Sequence, residues 1–198
     1  MKPAAALGFR VHSGWAALVA ISLDGCSPLV LQRQRPHLVK TFTYEFRQPY
    51  HTAQKKAIDE ARAFVSNAQA EARHLAARAV ESARGDLQKQ GYKLARCGLL
   101  LASGRQLPEL AQILRSHTLI HTADGELFRN ALLDASKSCG LTIFTTKENE
   151  LLESASRTLQ QPYQELMARL AGASSYLGAP WSQDEKFSAL VAWLALVN

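Results

Sequence analysis

The first 35 residues of the chain alternate apolar runs with turn signals, and this pattern predicts three strands. The run at 4–11 is mostly apolar, the run at 15–23 is apolar on both faces, and the run at 29–35 ends in alternating polar residues. Asp24 and Gly25 favour a tight hairpin between the second and third runs, because glycine readily adopts positive φ. The pattern therefore indicates an antiparallel three-stranded meander whose second strand is buried on both faces.

Helical spacing follows from about residue 52 to residue 87. Small apolar residues recur there every three or four positions, at Ile58, Ala61, Val65, Ala68, Ala72, Leu75, Ala79, Ala83 and Leu87. Such a stripe is typical of a helix that packs on a sheet. Because the spacing is close to a heptad over its whole length, the same stripe is also a candidate homodimer surface.

The second half of the chain reads as strands that alternate with helices. A strand is predicted at 93–101, a short helix from Pro108, a strand at 117–121, a helix that ends at Gly140, and a strand at 141–145. Strand, helix and strand in succession imply parallel strands joined by crossover helices. A mixed α/β sheet covered by helices is the predicted fold class.

Two capping boxes mark the helices of the C-terminal region. Thr145 with Glu148 and Ser182 with Glu185 have the three-residue spacing of this motif. Residues 172–180, rich in Gly, Ala and Ser, separate the two helices. The chain is therefore divided into an α/β domain at 1–171 and, at 172–198, a linker with a helix that packs on the same domain.

Composition narrows the function classes only slightly. The chain has 198 residues, is 47% hydrophobic and carries a net charge of +6, which permits an anionic partner. Cys26, Cys97 and Cys139 form no Cys-x-x-Cys pair, so a zinc knuckle is not predicted. The longest apolar runs are too short to span a bilayer, and the N-terminal run is too short for a signal peptide. A cytoplasmic protein without membrane contact is expected.

This order of elements resembles the ribonuclease H-like superfold, which RuvC-type resolvases share with actin-like sugar kinases. The strand and turn from Gly8 to Gly14 and the Asp24-Gly25 hairpin carry the resemblance, which covers roughly residues 4–145. It implies a three-layer fold. In the nuclease branch the first strand carries a metal-binding Asp, whereas this chain has Arg10 and no acid there, so two metal ions would lack a central ligand.

The parallel strands predict where a ligand binds. In open α/β sheets ligands lie beyond the carboxyl ends of the strands, and three predicted turns converge there. They contribute Arg10, His12, Ser13 and Gly14, then Ser103, Gly104 and Arg105, and finally His121, Thr122, Asp124 and Glu126. Arg10 and Arg105 are suited to bind a phosphate or carboxylate, and Thr122 is placed at a helix N-terminus that favours an anion.

Three functions are compatible with this arrangement. The preferred one is a non-catalytic module that binds an anionic ligand, a nucleotide or nucleic acid, in the crevice. The second is a hydrolase or nuclease that uses His121, Asp124 and Glu126, with Asp184 of the last helix as a further acid. The third is a structural protein that dimerises through the alanine-rich helix.

The sequence indicates neither a cofactor nor a metal site. His117 and His121 are four positions apart, but on the predicted strand they would be separated by about 13 Å. A helix would bring them together. Because Thr118, Leu119 and Ile120 favour a strand, no metal ion is predicted at this pair.

Overall fold

Five strands form one mixed sheet in the computed structural model, which describes residues 2–102, 106–178 and 181–198. They are β1 (Ala4–His12), β2 (Trp15–Asp24), β3 (Ser27–Gln34), β4 (Lys93–Leu101) and β5 (Thr142–Lys147). Their spatial order is β3-β2-β1-β4-β5, antiparallel from β3 to β1 and parallel from β1 through β4 to β5. The predicted meander followed by parallel strands is confirmed.

The turns of the meander follow from their glycines. Asp24 and Ser27 are paired at the end of the β2–β3 hairpin, and Gly25 between them has a φ of 57°. Gly14 in the β1–β2 turn has a φ of 82°. Both values lie in the left-handed region that glycine adopts without steric cost. β2 is buried along most of its length, whereas β3 lies at the sheet edge and is half-buried over its last four residues.

The helices of the described ranges are α1 (Tyr44–Arg47), α2 (Pro49–Ala53), α3 (Ile58–Lys89), α4 (Leu110–Ile113), α5 (His117–Ser138), α6 (Leu151–Leu159), α7 (Tyr163–Ala173) and α8 (Gln183–Val197). None of them is long and apolar enough to cross a membrane. The long predicted helix begins at Ile58 instead of Thr52, because α2 ends at Ala53 and a turn separates the two helices.

Two apolar clusters, one on each face of the sheet, give the three-layer α/β architecture predicted from the element order. On one face, Leu7 and Phe9 of β1 join the buried residues of α3 and α5. On the other face, Val19 of β2 and Leu100 of β4 join α6, α7 and α8. The alanine stripe of α3 is largely buried against α5 within the chain, so a homodimer requires a different surface.

The helix α8 lies directly on the sheet. It begins with the predicted capping box, in which Ser182 accepts from the Asp184 amide and Glu185 accepts from the Ser182 amide. From Ser188 to Ala195 every residue is buried. Part of the predicted linker is helical, because α7 continues to Ala173 and a 3-10 turn covers Ser175–Leu177. Positions 179 and 180 lie outside the described residues.

Two glycines allow α8 to approach the sheet so closely. A Cβ atom on Gly8 of β1 would lie 1.8 Å from the carbonyl oxygen of Ser188, and one on Gly98 of β4 would lie 2.3 Å from that of Val191. Any larger residue at either position would collide with the helix backbone. This contact also fixes the side of the sheet on which Arg10, two residues after Gly8, is placed.

The predicted strand at 117–121 is wrong, because these residues form the first turns of α5. Ser116 caps this helix and accepts from the Leu119 amide. Ile120, Ala123 and Leu127 are buried on one face, a helical spacing that continues across the sequence read as a turn. Packing on the sheet has overridden the strand preference of Thr118 to Ile120, so the sheet has one strand fewer than predicted.

The first predicted capping box is also absent. Thr145 is part of β5, and a 3-10 turn at Glu148–Glu150 precedes α6. The crossover unit is therefore β4, α5 and β5, and β5 is the parallel neighbour of β4.

Candidate functional site

Arg10, at the carboxyl end of β1, is the centre of an ion network. Its guanidinium donates to the carboxylates of Asp184, in the first turn of α8, and Glu148, which follows β5. It also lies 5.3 Å from the centre of the Phe187 ring. One cation of β1 therefore joins two acids from two other elements at the edge predicted for the ligand.

His12 extends this network across the sheet edge. Its Nε2 lies 2.9 Å from Oδ1 of Asp184, and its ring stacks on Trp15 at 4.3 Å between centres. The guanidinium of Arg35, just beyond β3, lies 3.5 Å from the centre of the same indole. Arg35, Trp15, His12, Asp184, Arg10 and Glu148 thus form a continuous row of contacts, which we call the edge row.

Arg10 and Asp184 each favour the charged form of the other. Burial alone would raise the pKa of Asp184, but the hydrogen bond and charge of His12 and the charge of Arg10 together lower it below its ordinary value. The pKa of Arg10 is raised, chiefly by the hydrogen bond to Glu148, against the opposing effect of burial. Arg10 is therefore engaged by carboxylates and is not a free anion-binding fork.

The β1–β2 turn, with Ser13 and Gly14, contacts the segment after β3. Arg47 donates through Nε to the Ser13 carbonyl at 3.1 Å, and the Leu38 amide donates to the Gly14 carbonyl. The guanidinium of Arg47 lies 4.5 Å from the centre of the Phe42 ring. That ring is 42% exposed and also stacks on His37. The predicted ligand residues at this turn are thus bordered by cations and an exposed aromatic ring.

Ser103, Gly104 and Arg105, the second turn of the predicted site, lie outside the described residues. The third predicted turn is part of α5. Thr122 does not cap a helix there; it lies within one, and its hydroxyl donates to the Thr118 carbonyl.

His121 and Asp124 belong to a second cluster, on the face of the sheet opposite to Arg10. Asp124 is 3% exposed and accepts from the Tyr50 amide at 2.7 Å; its other oxygen lies 2.5 Å from Nδ1 of His51. His121 and His117 meet at 3.0 Å between their Nε2 atoms. Burial raises the pKa of Asp124, partly offset by the hydrogen bonds from His51 and Tyr50.

Glu126 is separate from this cluster, because it pairs with Arg129 on the same helix at 3.2 Å. The structure therefore brings Arg10, His12, Ser13 and Gly14 together at the carboxyl edge, and His121 with Asp124 at a different place. The prediction that the two sets converge depended on a strand at 117–121, but these residues form a helix in the structure.

Several residues of both clusters carry no signal in the sequence. Trp15, Arg35 and His51 reach their partners through contacts that join different elements, and nothing in their local sequence indicates this. His117 and His121 do carry a signal, since four-residue spacing on a helix brings two imidazoles together.

A groove of about 550 Å³ lies between α3 and α5, away from the edge row. Its polar lining includes Arg62, Gln69, Arg73 and Asn130, together with Tyr50. None of the described residues that line this groove belongs to the edge row.

Comparison with solved structures identifies the fold. A T. thermophilus RuvC in complex with a Holliday junction substrate matches with a TM-score of 0.55 and 9% identity, over 98% of this chain and 93% of that one. A second Thermus thermophilus RuvC structure matches with a TM-score of 0.52 and 10% identity, over 96% and 91%. No family model and no curated protein matches the sequence. The chain has a ribonuclease H-like fold, as its order of elements predicted.

Proposed function

We propose that this protein binds nucleic acid at the carboxyl edge of its sheet without hydrolysing it. The observation that carries this proposal is the edge row, in which Arg10 stands on the first strand between two carboxylates. In the nucleases that the chain resembles, the first strand carries a metal-binding Asp. A guanidinium in such a position supplies the positive charge that the neighbouring acids would otherwise obtain from a metal ion.

The two acids alone are a poor site for two metal ions. Asp184 and Glu148 have the oxygen ligands that Mg²⁺ prefers. Each already accepts from Arg10, however, and Asp184 also contacts His12. A divalent ion would have to displace a bonded guanidinium and would be repelled by its charge. This argues against two-metal hydrolysis at the edge.

The contact surface for nucleic acid is the segment that borders the β1–β2 turn. Arg35 is exposed, and no carboxylate of the described residues lies within salt-bridge distance of it. Phe42 and Tyr44 are 42% and 60% exposed. Exposed aromatic rings beside cations bind single-stranded nucleic acid by stacking on bases and contacting phosphates. We call Arg35, His37, Phe42, Tyr44 and Arg47 the edge surface.

Single-stranded nucleic acid fits this surface better than a free nucleotide. The edge surface consists of exposed side chains, and its residues do not form a glycine-rich loop of consecutive backbone amides that would enclose a phosphate. The net charge of +6 favours a polyanion. The similarly folded T. thermophilus RuvC was solved with a Holliday junction substrate, which makes branched DNA a second ligand to compare.

The test is fluorescence anisotropy with a labelled single strand, a duplex and a four-way junction, at about 50 and 200 mM salt. Arg35→Ala and Phe42→Ala are expected to weaken binding of the preferred ligand about tenfold each, which corresponds to the 1–3 kcal/mol of a stacked base. Matched controls are Arg157→Ala and Tyr163→Ala, exposed residues of α6 and α7 on the opposite helical layer. Both controls should bind within about twofold of the wild type.

Absence of binding at low salt, or equal losses in test and control variants, would refute the proposal. If a mononucleotide bound more tightly than a single strand, the ligand would be a free nucleotide and not a nucleic acid. Cleavage of any of the three ligands with Mg²⁺ or Mn²⁺, abolished by Asp184→Asn, would favour the nuclease alternative instead.

A further inference from the structure

We propose that His51, His117 and His121 bind one transition-metal ion, with Zn²⁺ as the preferred ion. These three residues lie on the helical layer formed by α2 and α5, and they take no part in the edge row. One ligand atom from each lies within 4.8 Å of those of the other two. Three imidazoles without a thiolate or exposed carboxylate are a donor set that suits Zn²⁺, Ni²⁺ or Cu²⁺.

The helical pair is already close to metal-binding geometry. In a tetrahedral zinc site with Zn–N bonds of about 2.0–2.1 Å, two ligand nitrogens are about 3.3 Å apart. The Nε2 atoms of His117 and His121 are separated by 3.0 Å. Their spacing of one helical turn places both rings on the same face of α5, so a small rotation of either side chain suffices.

The third histidine is oriented by a buried acid. Nδ1 of His51 contacts the Asp124 carboxylate at 2.5 Å, so this nitrogen donates and Nε2 is left with its lone pair. Asp124 is itself fixed by the Tyr50 amide. A carboxylate that holds the far nitrogen of an imidazole is the usual outer support of a histidine ligand, and it makes the other nitrogen a stronger donor.

The site is accessible and leaves a coordination position open. His117 and His121 are exposed and His51 is half-buried, so an ion can enter from solvent. Three protein ligands leave the fourth tetrahedral position for water or for an exchangeable ligand. Tyr44, which is 60% exposed, lies with its ring 6.4 Å from that of His51. The histidine cluster therefore borders Tyr44, at one end of the edge surface.

A different explanation of the 3.0 Å contact is a hydrogen bond between two neutral imidazoles, with no ion. The two explanations differ in what happens when metal is added. A hydrogen-bonded pair without a site would bind Zn²⁺ no better than an isolated surface histidine.

The experiment uses the full chain after treatment with a chelator and dialysis. Zn²⁺ affinity is measured by competition with a chromogenic chelator, and Co²⁺ is added to record its visible absorption, which is intense for tetrahedral and weak for octahedral sites. We expect one ion per chain with micromolar or tighter affinity and a tetrahedral Co²⁺ spectrum. His117→Ala and His121→Ala should each weaken Zn²⁺ binding at least tenfold and abolish that spectrum.

Two further variants separate the proposal from a general loss of fold. His74→Ala removes an exposed histidine of α3 and should leave Zn²⁺ affinity unchanged. Asp124→Asn should weaken binding 10- to 100-fold if Asp124 supports His51. Because Asp124 is buried, the fold of the Asp124→Asn variant is checked by circular dichroism. His117→Ala changes an exposed side chain, so its result alone decides the test. The metal site would be refuted if wild type and His117→Ala bound Zn²⁺ with equal affinity. It would also be refuted if the wild type bound no more Zn²⁺ than a blank without protein.

Discussion

His12 and Asp184 are in contact, with 2.9 Å between Nε2 and Oδ1, although 172 positions separate them in the chain. This contact joins the carboxyl end of β1 to the first turn of α8. Arg10 joins the same carboxylate to Glu148 after β5. Three elements that are distant in sequence therefore meet in one ion network, with Arg10 at its centre.

Replacing Asp184 by Asn is expected to make the free energy of unfolding fall less steeply as the pH is lowered. The pKa of Asp184 is lowered in the folded protein, so its stabilising effect is present above its ordinary pKa near 4 and is lost as pH falls through the folded value. At pH 7 the variant should lose about 1.5–3 kcal/mol of unfolding free energy. Urea unfolding between pH 3 and 7 measures both effects.

The control for this experiment is Glu153→Gln on α6. Its carboxylate is 84% exposed and lies 4.0 Å from Arg157, so a change below about 0.5 kcal/mol is expected. If the unfolding free energy of Asp184→Asn fell with decreasing pH as steeply as that of the wild type, the Asp184 carboxylate would not be stabilised by Arg10 and His12.

Gly8→Ala is expected to disrupt the contact between β1 and α8. The added Cβ would lie 1.8 Å from the Ser188 carbonyl oxygen, which cannot move without moving the helix. We expect a loss of about 3 kcal/mol or more. Gly85→Ala on α3 is the control, since its Cβ meets nothing within 4 Å and should stabilise the helix by about 0.5–1 kcal/mol. Equal melting temperatures for the two variants would contradict this account of the packing.

The three cysteines are expected to differ sharply in reactivity. Burial raises the pKa of Cys97 to about 12, with a smaller opposing effect from Ser136, and only thiolates react readily. Cys26 is exposed and Cys139 is half-buried. A colorimetric thiol reagent at pH 8 should modify Cys26 first and Cys97 only after denaturation. Rapid labelling of the buried Cys97 in the folded Cys26→Ser variant would contradict this order.

Reversing the charge of Arg10 tests whether it stands in for a cation. Arg10→Asp places a third carboxylate beside Asp184 and Glu148, which gives three oxygen donors for a divalent ion. We expect Mn²⁺ to raise the melting temperature of Arg10→Asp and not that of Arg10→Ala, because binding stabilises only the variant with the site. Equal Mn²⁺ shifts in both variants would mean that the acids do not converge on residue 10.

The strands and the order of layers could be predicted because their signals are local. The alternation of apolar runs with turns, the Asp24-Gly25 hairpin and the Ser182 capping box depend on neighbours in the sequence, and the structure confirms all three. The segment at 117–121 could not be assigned in this way. Its β-branched and aliphatic residues favour a strand, but the burial of Ile120, Ala123 and Leu127 together favours a helix, and that preference appears only with the sheet in place.

Of the candidate site, only the position of the residues at the end of β1 could be predicted. Arg10, His12, Ser13 and Gly14 lie at the carboxyl edge because a parallel sheet places a strand end there. Their partners could not be inferred, since Arg35, Asp184 and Glu148 arrive from the end of β3, the start of α8 and the end of β5. The misassigned strand also concealed the histidine pair, whose four-residue spacing has meaning only on a helix.

Ultraviolet crosslinking of a bound single-stranded oligonucleotide, mapped by mass spectrometry, tests the central claim most directly. We expect crosslinks within residues 35–47, foremost at Phe42 and Tyr44, because both rings are exposed and Phe42 lies beside the Arg47 guanidinium. These crosslinks should decline at high salt together with binding. Crosslinks concentrated at Tyr163 on α7, or in the groove between α3 and α5, would show that nucleic acid does not bind at the carboxyl edge.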